Sequence, residues 1–408
     1  MQVMIVGAGP AGAALALLLA RQQVAVTLIE QADSLARVFR GEGLMPAGMD
    51  ALHQMGLAEL LDNIPCRQLE SWNIFLEGKE IFVIPEPLRR LGSRALSIVS
   101  QTALLEGMID QAKAYPNFTF LSGTQVQEVV RDDQQRIVGV TVNQAGQSAL
   151  MPADLVIGCD GRGSTVRRKA GLTLTLLPDQ YDVLWFKLPA PVPLQNRCQF
   201  YLMARGKTHP AACYTSWDGR LQYGLIMPKG GLAQLGEQDW LTAAMAPAPT
   251  WLADHMQTHR AAVSAPVRLN VMVGRCPQWR VPGGLLLGDA AHPMSPVRAQ
   301  GVNLALRDAI VAANHLVPAL RSGQAKAIDA ATAAIQTERM PEVVRSQTLQ
   351  LRESESLNDI RNATWKLALA QRLVPLVGKL PIAQWAWLFR QRQLRFGVTP
   401  VQLTSAAE

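Results

Sequence analysis

Three glycines near the start of the chain have the spacing that phosphate binding requires. The run GAGPAG occupies positions 7–12, and Glu30 follows eighteen positions after Gly12. Gly7 permits a tight turn, Gly9 lets the backbone approach a pyrophosphate, and Gly12 allows a helix to pack closely on a sheet. A carboxylate at position 30 can accept hydrogen bonds from a ribose 2′-OH. These residues predict a dinucleotide-binding loop.

Such a loop must lie between a strand and a helix, and the sequence supplies both. Residues Gln2–Val6 are a predicted apolar strand, an alanine- and leucine-rich helix follows to about Gln22, and Val24–Ile29 is a second predicted strand. The apolar stretch from Val3 to Ala20 is interrupted by glycines and Pro10 and lacks a basic leader, so we expect neither a signal peptide nor a membrane span. The loop alone leaves open whether the dinucleotide is FAD or NAD(P).

Two further carboxylates follow predicted strands much later in the chain. Asp160 comes after the apolar run Asp154–Gly158, and Asp289 comes after Gly284–Gly288. Open α/β sheets bind ligands at the carboxyl ends of their strands, so we expect both carboxylates to lie near the glycine loop. A simple NAD dehydrogenase needs neither motif, and the pair therefore favours FAD.

Together, in this order and over about residues 1–320, the three motifs resemble the p-hydroxybenzoate hydroxylase-like flavoprotein superfamily, the group A aromatic hydroxylases. The resemblance implies an FAD-dependent monooxygenase that uses NAD(P)H as a transient electron donor and O2. It implies hydroxylation of an aromatic or quinone-like small molecule through a flavin C4a-hydroperoxide, so that the cofactor performs the chemistry. An FAD-dependent reductase or dehydrogenase of the geranylgeranyl reductase kind, which inserts no oxygen, is the alternative.

The same resemblance implies roles for individual residues. Gly7, Gly9 and Gly12 would bind the FAD pyrophosphate, and Glu30 would bind the adenosine ribose. The other cofactor contacts that it implies are Arg40 along the cofactor, Gln101 at the start of a helix, Asp160 in a motif for FAD and NAD(P)H, Asp289 at the ribityl chain, and Gly301, Val302 and Asn303 in the loop beyond it.

The segment after the third carboxylate corresponds to the family loop beside the flavin. Pro296, Gln300 and Gly301 are expected to support the flavin's chemistry, because a helix beginning there directs its positive end at the reduced ring. Ala299 stands where the family usually has glycine, and we expect the loop to persist with slightly altered backbone freedom. His292 could be a general base or a structural residue of the cofactor motif, and we favour the structural role. The catalytic side chains are left unassigned.

These motifs must be positioned by an α/β fold with a Rossmann-like FAD-binding domain, an inserted antiparallel-sheet substrate domain and a helical C-terminal region. The expected boundaries are residues 1–70, 96–175 and 275–320 for the FAD-binding domain, 71–95 and 176–274 for the substrate domain, and 321–408 for the helical region. A pocket between the sheet and the flavin is expected, since ligand sites often form between domains.

The substrate sheet is predicted from short strands separated by turn residues. The expected strands are Val183–Leu188, Cys198–Met203, Ala211–Trp217 and Leu221–Met227, joined by an earlier hairpin of Trp72–Phe75 and Lys79–Ile84. Tyr201, Tyr214, Tyr223 and Arg205 are the candidate substrate contacts. Because side chains alternate along a strand, about half of such candidates should face away from the pocket.

The last third of the chain is predicted to be helical and basic. The expected helices are Glu338–Ser356, Asn362–Val374 and Ile382–Arg395. The last of these combines tryptophans with arginines, which is typical of a peripheral membrane helix. A terminal helix docked on the catalytic domain explains the same pattern and is favoured here.

Composition limits the remaining possibilities. The chain has 39 Lys and Arg against 32 Asp and Glu, a net charge of +7, but the basic residues match no nucleic-acid module. Nucleic acid is therefore not an expected partner; a small-molecule substrate and O2 are. The five cysteines lack metal or redox spacing, so we expect no metal and a reducing, cytoplasmic compartment. The oligomeric state is left open.

Overall fold

A mostly parallel sheet begins with the strand that precedes the glycine loop. It is seen in a computed structural model that describes residues 1–36, 41–86, 96–178, 181–235, 240–362, 374 and 380–404. In spatial order its strands are β20 (Arg280–Val281), β21 (Gly284–Leu286), β12 (Leu155–Gly158), β1 (Gln2–Val6), β2 (Ala25–Ile29) and β8 (Phe118–Leu121). Only the β20–β21 pair is antiparallel within this sheet. We call it the cofactor sheet.

A second sheet, here called the substrate sheet, is built mainly from the middle of the chain. In spatial order its strands are β18 (Val267–Asn270), β14 (Tyr181–Leu188), β17 (Leu221–Pro228), β16 (Ala211–Thr215), β15 (Gln199–Ala204), β5 (Ser71–Leu76) and β6 (Lys79–Pro85). The predicted strands are present with ends shifted by one or two residues, and the early hairpin joins them. The sheet is antiparallel as expected except at one place, where β15 pairs with β5 in parallel. These two strands come from distant parts of the chain, so no tight turn dictates their direction.

Three smaller sheets accompany the two large ones. They are β9 (Thr124–Arg131), β10 (Ile137–Gln144) and β11 (Gln147–Pro152); β3 (Gly43–Leu44), β7 (Ser97–Val99) and β4 (Cys66–Gln68); and β13 (Thr175–Leu176) with β19 (Gly274–Arg275). The β13–β19 pair brings together the two predicted ends of the inserted segment. The segment from β14 to β18 therefore starts and ends beside this pair, while the β5–β6 hairpin joins the substrate sheet from an earlier part of the chain.

Helices cover the cofactor sheet and extend over the substrate sheet. They are α1 (Pro10–Arg21), α2 (Pro46–Gln54), α3 (Ala58–Asn63), α4 (Gln101–Lys113), α5 (Thr165–Lys169), α6 (Gly231–Gln234), α7 (Trp240–Met245), α8 (Thr250–Thr258), α9 (Gln300–Arg321), α10 (Ala325–Asn362), α11 (Pro381–Arg390) and α12 (Arg392–Phe396). Helix α1 begins with Pro10, whose fixed φ and missing N–H suit the first helical position. Its leucines are buried, and each contributes about 1.5–3 kcal/mol through removal from water.

The C-terminal region differs from the prediction in its helix boundaries. The predicted helix Glu338–Ser356 is part of the longer α10, and the predicted Ile382–Arg395 is divided into α11 and α12. The division falls at Gln391, which is buried and donates its side-chain amide to Glu353. Most of the predicted helix Asn362–Val374 lies outside the described residues. Within the described chain, no helix is long and apolar enough to cross a membrane.

Candidate functional site

The phosphate loop, residues 7–12, has a backbone that only glycine permits at two positions. Gly7 has φ +102°, and a Cβ there would lie 2.5 Å from the Cys159 carbonyl oxygen. A Cβ on Gly12 would lie 2.0 Å from the Gly7 carbonyl oxygen, whereas a Cβ on Gly9 would meet nothing within 4 Å. Gly7 and Gly12 therefore fold the loop, and Gly9 leaves one side of it open to a ligand.

Glu30 lies beside this loop at the end of β2. Its carboxylate accepts hydrogen bonds from the backbone N–H of Ala8 at 3.0 Å and of Ala32 at 3.1 Å, and its side chain is buried. These two bonds fix the carboxylate against the loop. Binding of a ribose by Glu30 stays a prediction.

The other two carboxylates follow β12, which pairs with β1, and β21, which pairs with β12. Asp160 comes after β12 and caps α5: it accepts from the backbone N–H of Thr165 at 2.7 Å and of Val166 at 3.0 Å. Asp289 comes after β21 and is exposed, with its Oδ1 3.8 Å from where a Cβ of Gly301 would lie. The cofactor sheet therefore collects the three motifs at the carboxyl ends of neighbouring strands.

The segment 293–301, here called the flavin loop, leads from Asp289 to the first turn of α9. Pro296 accepts a hydrogen bond from the Ala299 N–H at 3.0 Å. Arg298 and Ala299 both have positive φ, +58° and +50°. This conformation costs a residue with a Cβ about 1–2 kcal/mol, which explains why glycine suits position 299. A Cβ on Gly43 would lie 2.9 Å from that of Ala299, so the neighbouring segment has no room for a side chain.

The side chains of two predicted cofactor contacts, and of a residue predicted to support the flavin's chemistry, bind the protein backbone. Asn303 accepts from the Met45 N–H at 2.9 Å and donates to the carbonyls of Gly43 and Ala299. Gln300 donates to the carbonyls of Arg298 and Leu394, each at 2.8 Å. Gln101 donates to the Gly41 carbonyl at 3.0 Å. These side chains position the loops around the site, and Val302 beside them is buried.

Sequence analysis missed the support that α10 gives to the flavin loop. Gln350 donates to the carbonyls of Ser295 at 2.9 Å and Val297 at 2.6 Å, and Gln347 donates to the Pro293 carbonyl at 3.5 Å. Glu353, one turn further on, accepts from Arg298 at 2.9 Å. The three-residue spacing of 347, 350 and 353 was the available signal, because it places them along one side of a helix.

Arg298 also connects the flavin loop to the substrate sheet and the C-terminal region. Its guanidinium carbon lies 4.4 Å from the Trp72 ring centroid and 4.7 Å from that of Trp387. Cations are attracted to aromatic faces at such distances. Trp387 of α11 is therefore part of the site's surroundings. Its docking agrees with the favoured interpretation of the last helix, while the neighbouring Ile382 and Trp385 remain exposed.

His292 is held in a buried network of charges, as the structural interpretation predicted. Its Nε2 lies 2.7 Å from Asp308 Oδ2, and Arg339 donates to Asp308 Oδ1 at 2.7 Å. Arg339 also pairs with Glu342, which pairs in turn with Arg307. Burial alone would raise the pKa of Asp308, but its contacts with His292 and Arg339 outweigh burial and hold that pKa at about 2. The network joins α9 to α10.

The substrate sheet separates the candidate substrate residues. The face that carries Trp72, Trp185 and Tyr214 is here called the inner face. These three side chains pack in one cluster with Met45 and Ile98. The opposite, outer face carries Tyr201 and Tyr223, which belong to a separate cluster against α7 and α8.

Because Tyr201 and Tyr223 lie on the outer face, they are not on the side of the sheet where the substrate pocket is expected. Tyr223 is fully buried and donates to the Ala244 carbonyl at 2.6 Å, and Tyr201 donates to Gln199 at 2.6 Å. Arg205 lies on a turn, with Nη2 2.3 Å from where a Cβ of Gly78 would be. Of the four candidates, only Tyr214 lies on the inner face.

The described residues fit FAD better than a metal. The open side at Gly9 and the exposed Asp289 offer a backbone cradle and a carboxylate at the end of a strand, the two features that the dinucleotide motifs require. Arg40 lies outside the described residues. No cluster of three or more potential metal ligands occurs in the part of the chain that the structure describes.

Comparison with known proteins agrees with this geometry. A family model described as an FAD binding domain matches residues 1–345. The 6-methylpretetramide 4-monooxygenase of Streptomyces rimosus is 32% identical over 387 residues, which are 93% of this chain and 89% of that protein. The protoasukamycin 4-monooxygenase of Streptomyces nodosus subsp. asukaensis is 27% identical and is matched over 60% of its own length. The kynurenine 3-monooxygenase of Salinispora tropica is 27% identical and is matched over 71% of its own length.

Solved structures show the same fold. The p-nitrophenol 4-monooxygenase PnpA of Pseudomonas putida has a TM-score of 0.78 at 18% identity, and 98% of each chain is covered. PqsL of Pseudomonas aeruginosa, crystallised with 2-aminobenzoylacetate, has a TM-score of 0.74 at 22% identity, covering 91% of this chain and 99% of that one. At these identities the likeness concerns the fold alone.

Proposed function

The chain belongs to the FAD-binding-domain family of FAD-dependent monooxygenases, and from that premise we propose that it uses NAD(P)H and O2 to hydroxylate an aromatic or quinone-like small molecule. The 6-methylpretetramide 4-monooxygenase, whose match covers 93% of this chain, is named for a monooxygenation. Oxygen insertion is therefore favoured over reduction of the geranylgeranyl reductase kind.

The observation that carries the proposal is the connection between the flavin loop and the inner face of the substrate sheet. Tyr181, at the start of β14, hydrogen-bonds to Ser295 of the flavin loop at 2.7 Å. On the same face, Trp185 and Tyr214 are both buried. An aromatic ring held against this face would lie over the flavin loop. The apolar walls would keep water from the reacting atoms.

FAD would supply electron transfer and O2 activation when bound. The phosphate loop would bind its pyrophosphate, with Glu30 at the adenosine ribose and Asp289 at the ribityl chain. Asp160 would support the same loop by capping α5. Arg40, Gln101, Gly301, Val302 and Asn303 complete the proposed cofactor site. The first turn of α9 presents backbone N–H groups that would stabilise negative charge on a reduced ring.

The test is anaerobic reduction of the purified protein with NADH or NADPH, followed by rapid mixing with ¹⁸O2 and a panel of phenols and quinols. A transient flavin spectrum distinct from the oxidised and reduced forms, with ¹⁸O in a ring product, is expected. Featureless reoxidation with every ring compound, combined with reduction of an isoprenoid double bond, would establish the reductase alternative instead.

A further inference from the structure

One end of the inner face carries a cluster of polar side chains, here called the polar end. Its members are Glu42, Lys187, Tyr214, Ser216 and Gln222. Three neighbouring strands bring them together: Gln222 of β17 lies directly across from Lys187 of β14 on one side and from Tyr214 of β16 on the other. Glu42 comes from the segment just before β3, which adjoins the flavin loop through Gly43.

The ammonium group of Lys187 is already fully used within the protein. It donates to Ser216 Oγ at 2.8 Å and to Asp218 Oδ2 at 2.8 Å, and it lies 3.3 Å from Glu42 Oε1. An ammonium has three N–H donors, so these three acceptors leave none for a substrate. The two carboxylates also outnumber the single cation. A substrate carboxylate would therefore meet net negative charge.

The side chain of Gln222, in contrast to that of Lys187, has a hydrogen-bonding atom that is not used. Its side chain is 2% exposed and its Nε2 donates to the Phe186 carbonyl at 3.4 Å, but its Oε1 has no hydrogen-bond partner among the described residues. An unsatisfied buried carbonyl is costly, and it can be satisfied only by a donor. The atom at the polar end that lacks a partner is thus a hydrogen-bond acceptor.

The surroundings suit an aromatic molecule. Gly224, two residues along β17, gives space to the Trp185 indole, whose ring atoms lie 2.8–2.9 Å from where a Cβ of Gly224 would be. Tyr214 stacks on Phe200 with ring centroids 6.1 Å apart and planes inclined by 12°. The polar end is therefore bordered by flat apolar surfaces.

Burial raises the pKa values of two groups at the polar end. It raises the pKa of Glu42 above its usual value, against the lowering effect of Lys187 and Ser216. Burial, together with the adjacent Glu42 carboxylate, also raises the pKa of Tyr214 well above its usual value. Tyr214 therefore remains a neutral phenol and adds no negative charge to that of the carboxylates.

We propose that the polar end binds a hydroxyl or amide N–H of a neutral aromatic substrate through Gln222 Oε1, and that it excludes aromatic carboxylates. The inference rests on the proposed function, since it assigns the substrate class of the same site. It selects phenols and amides among the possible ring substrates. Gln222 is a specificity-determining residue, and Lys187, Glu42 and Ser216 are positioning residues.

The test is ligand binding to the oxidised holoenzyme, measured by titration calorimetry with no NAD(P)H present. The probes share one ring system: 1-naphthol donates a hydrogen bond, 1-methoxynaphthalene cannot, and 1-naphthoate is an anion. We expect 1-naphthol to bind about tenfold more tightly than its methyl ether, the effect of one hydrogen bond to an otherwise unsatisfied buried group. The anion is expected to bind most weakly.

The matched variants are Gln222→Leu and Gln199→Leu, since both glutamines are buried in the same sheet but Gln199 pairs with Tyr201 on the outer face. Gln222→Leu should reduce the naphthol preference to about one, and Gln199→Leu should retain it. Equal affinities of the native protein for 1-naphthol and its methyl ether overturn the inference. A buried water bound to Gln222 would produce that result. A preference for the anion, no measurable naphthol binding, or an unchanged ratio in Gln222→Leu also overturns the inference.

The three-ligand comparison on the native protein decides the question even if a variant does not fold. Because no turnover is involved, a retained naphthol preference with no ring hydroxylation would contradict the proposed function alone. Hydroxylation of ring substrates without any naphthol preference would contradict the polar-end inference alone.

Discussion

The phosphate loop and the flavin loop lie at the same edge of the cofactor sheet but are held in different ways. The phosphate loop is shaped by its own glycines: Gly12 allows close approach to the Gly7 carbonyl, and the Gly7 N–H bonds to Ile29 at 2.7 Å. The flavin loop contains two residues with unfavourable positive φ and is fixed by Gln350 and Glu353 from α10.

This difference shows that the C-terminal helices belong to the structure of the site. In the phosphate loop the geometry follows mainly from the loop's own glycines, and the backbones of Ile29 and Cys159 on neighbouring strands fix Gly7. In the flavin loop the geometry follows from side chains about fifty residues away. The two loops should therefore respond differently to substitution.

The largest effect is expected within the phosphate loop. Gly12→Ala places a Cβ against the Gly7 carbonyl and should destabilise the apoprotein by about 3 kcal/mol or more, with loss of bound FAD. Gly9→Ala meets open space in the protein, so apoprotein stability should be unchanged while FAD affinity falls at least about tenfold, roughly 1.4 kcal/mol. Thermal unfolding of the apoprotein and FAD content of the holoprotein measure the two effects. Equal destabilisation by both variants would contradict this account.

The next effect tests the network that joins α9 to α10. Arg339→Met leaves the buried Asp308 and Glu342 without their shared partner and should destabilise the protein by about 3–5 kcal/mol. The matched control is Lys169→Met, which removes an exposed pair with Glu128 and should cost no more than about 1 kcal/mol. Denaturant unfolding gives both values. Similar losses in the two variants would mean that the network adds little.

A smaller effect isolates the support of the flavin loop. Gln350→Leu removes the donor to the Ser295 and Val297 carbonyls and should cost about 2 kcal/mol, seen mainly as weaker FAD binding. Thr348→Ala on the same helix is the control, because its hydroxyl bonds only to the Val344 carbonyl within α10. FAD dissociation constants of the two variants should differ by at least about tenfold. A native affinity in Gln350→Leu would show that the loop needs no support from α10.

The smallest effect has the opposite sign. Ala299→Gly removes the positive-φ penalty and should raise stability by up to about 1 kcal/mol. Ala330→Gly, at an exposed position inside α10, should lower stability by about 1 kcal/mol, because glycine is a poor helix former. Thermal unfolding of both variants provides the comparison. Loss of stability in Ala299→Gly would mean that the alanine is not strained.

The sequence predicted the elements whose residues are close together in the chain. The strand–loop–helix of residues 2–21 is present within one residue of its expected ends, and the substrate strands are shifted by one or two residues. Helix ends in the C-terminal region were predicted less well, because the break at Gln391 depends on a bond to Glu353 in another helix. Nothing local to residues 382–395 indicates that partner.

The sequence predicted a set of site residues, but it did not predict on which face of the sheet each one lies or what its side chain binds. Tyr201, Tyr214 and Tyr223 looked equivalent in the sequence, yet only Tyr214 lies on the inner face. Asn303 was predicted to contact the cofactor and Gln300 to support the flavin's chemistry, and the side chains of both bind backbone groups.

By itself, the sequence determined the family, the FAD-binding class and the places where the backbone must be glycine, because glycine spacing and strand ends are local properties of the chain. Only the tertiary structure decided which face each strand presents to the flavin loop, how α10 supports that loop, and which buried polar group lacks a partner. Those features depend on sheet register and on contacts between residues far apart in the chain, and a one-residue change of register would reverse the faces of a strand.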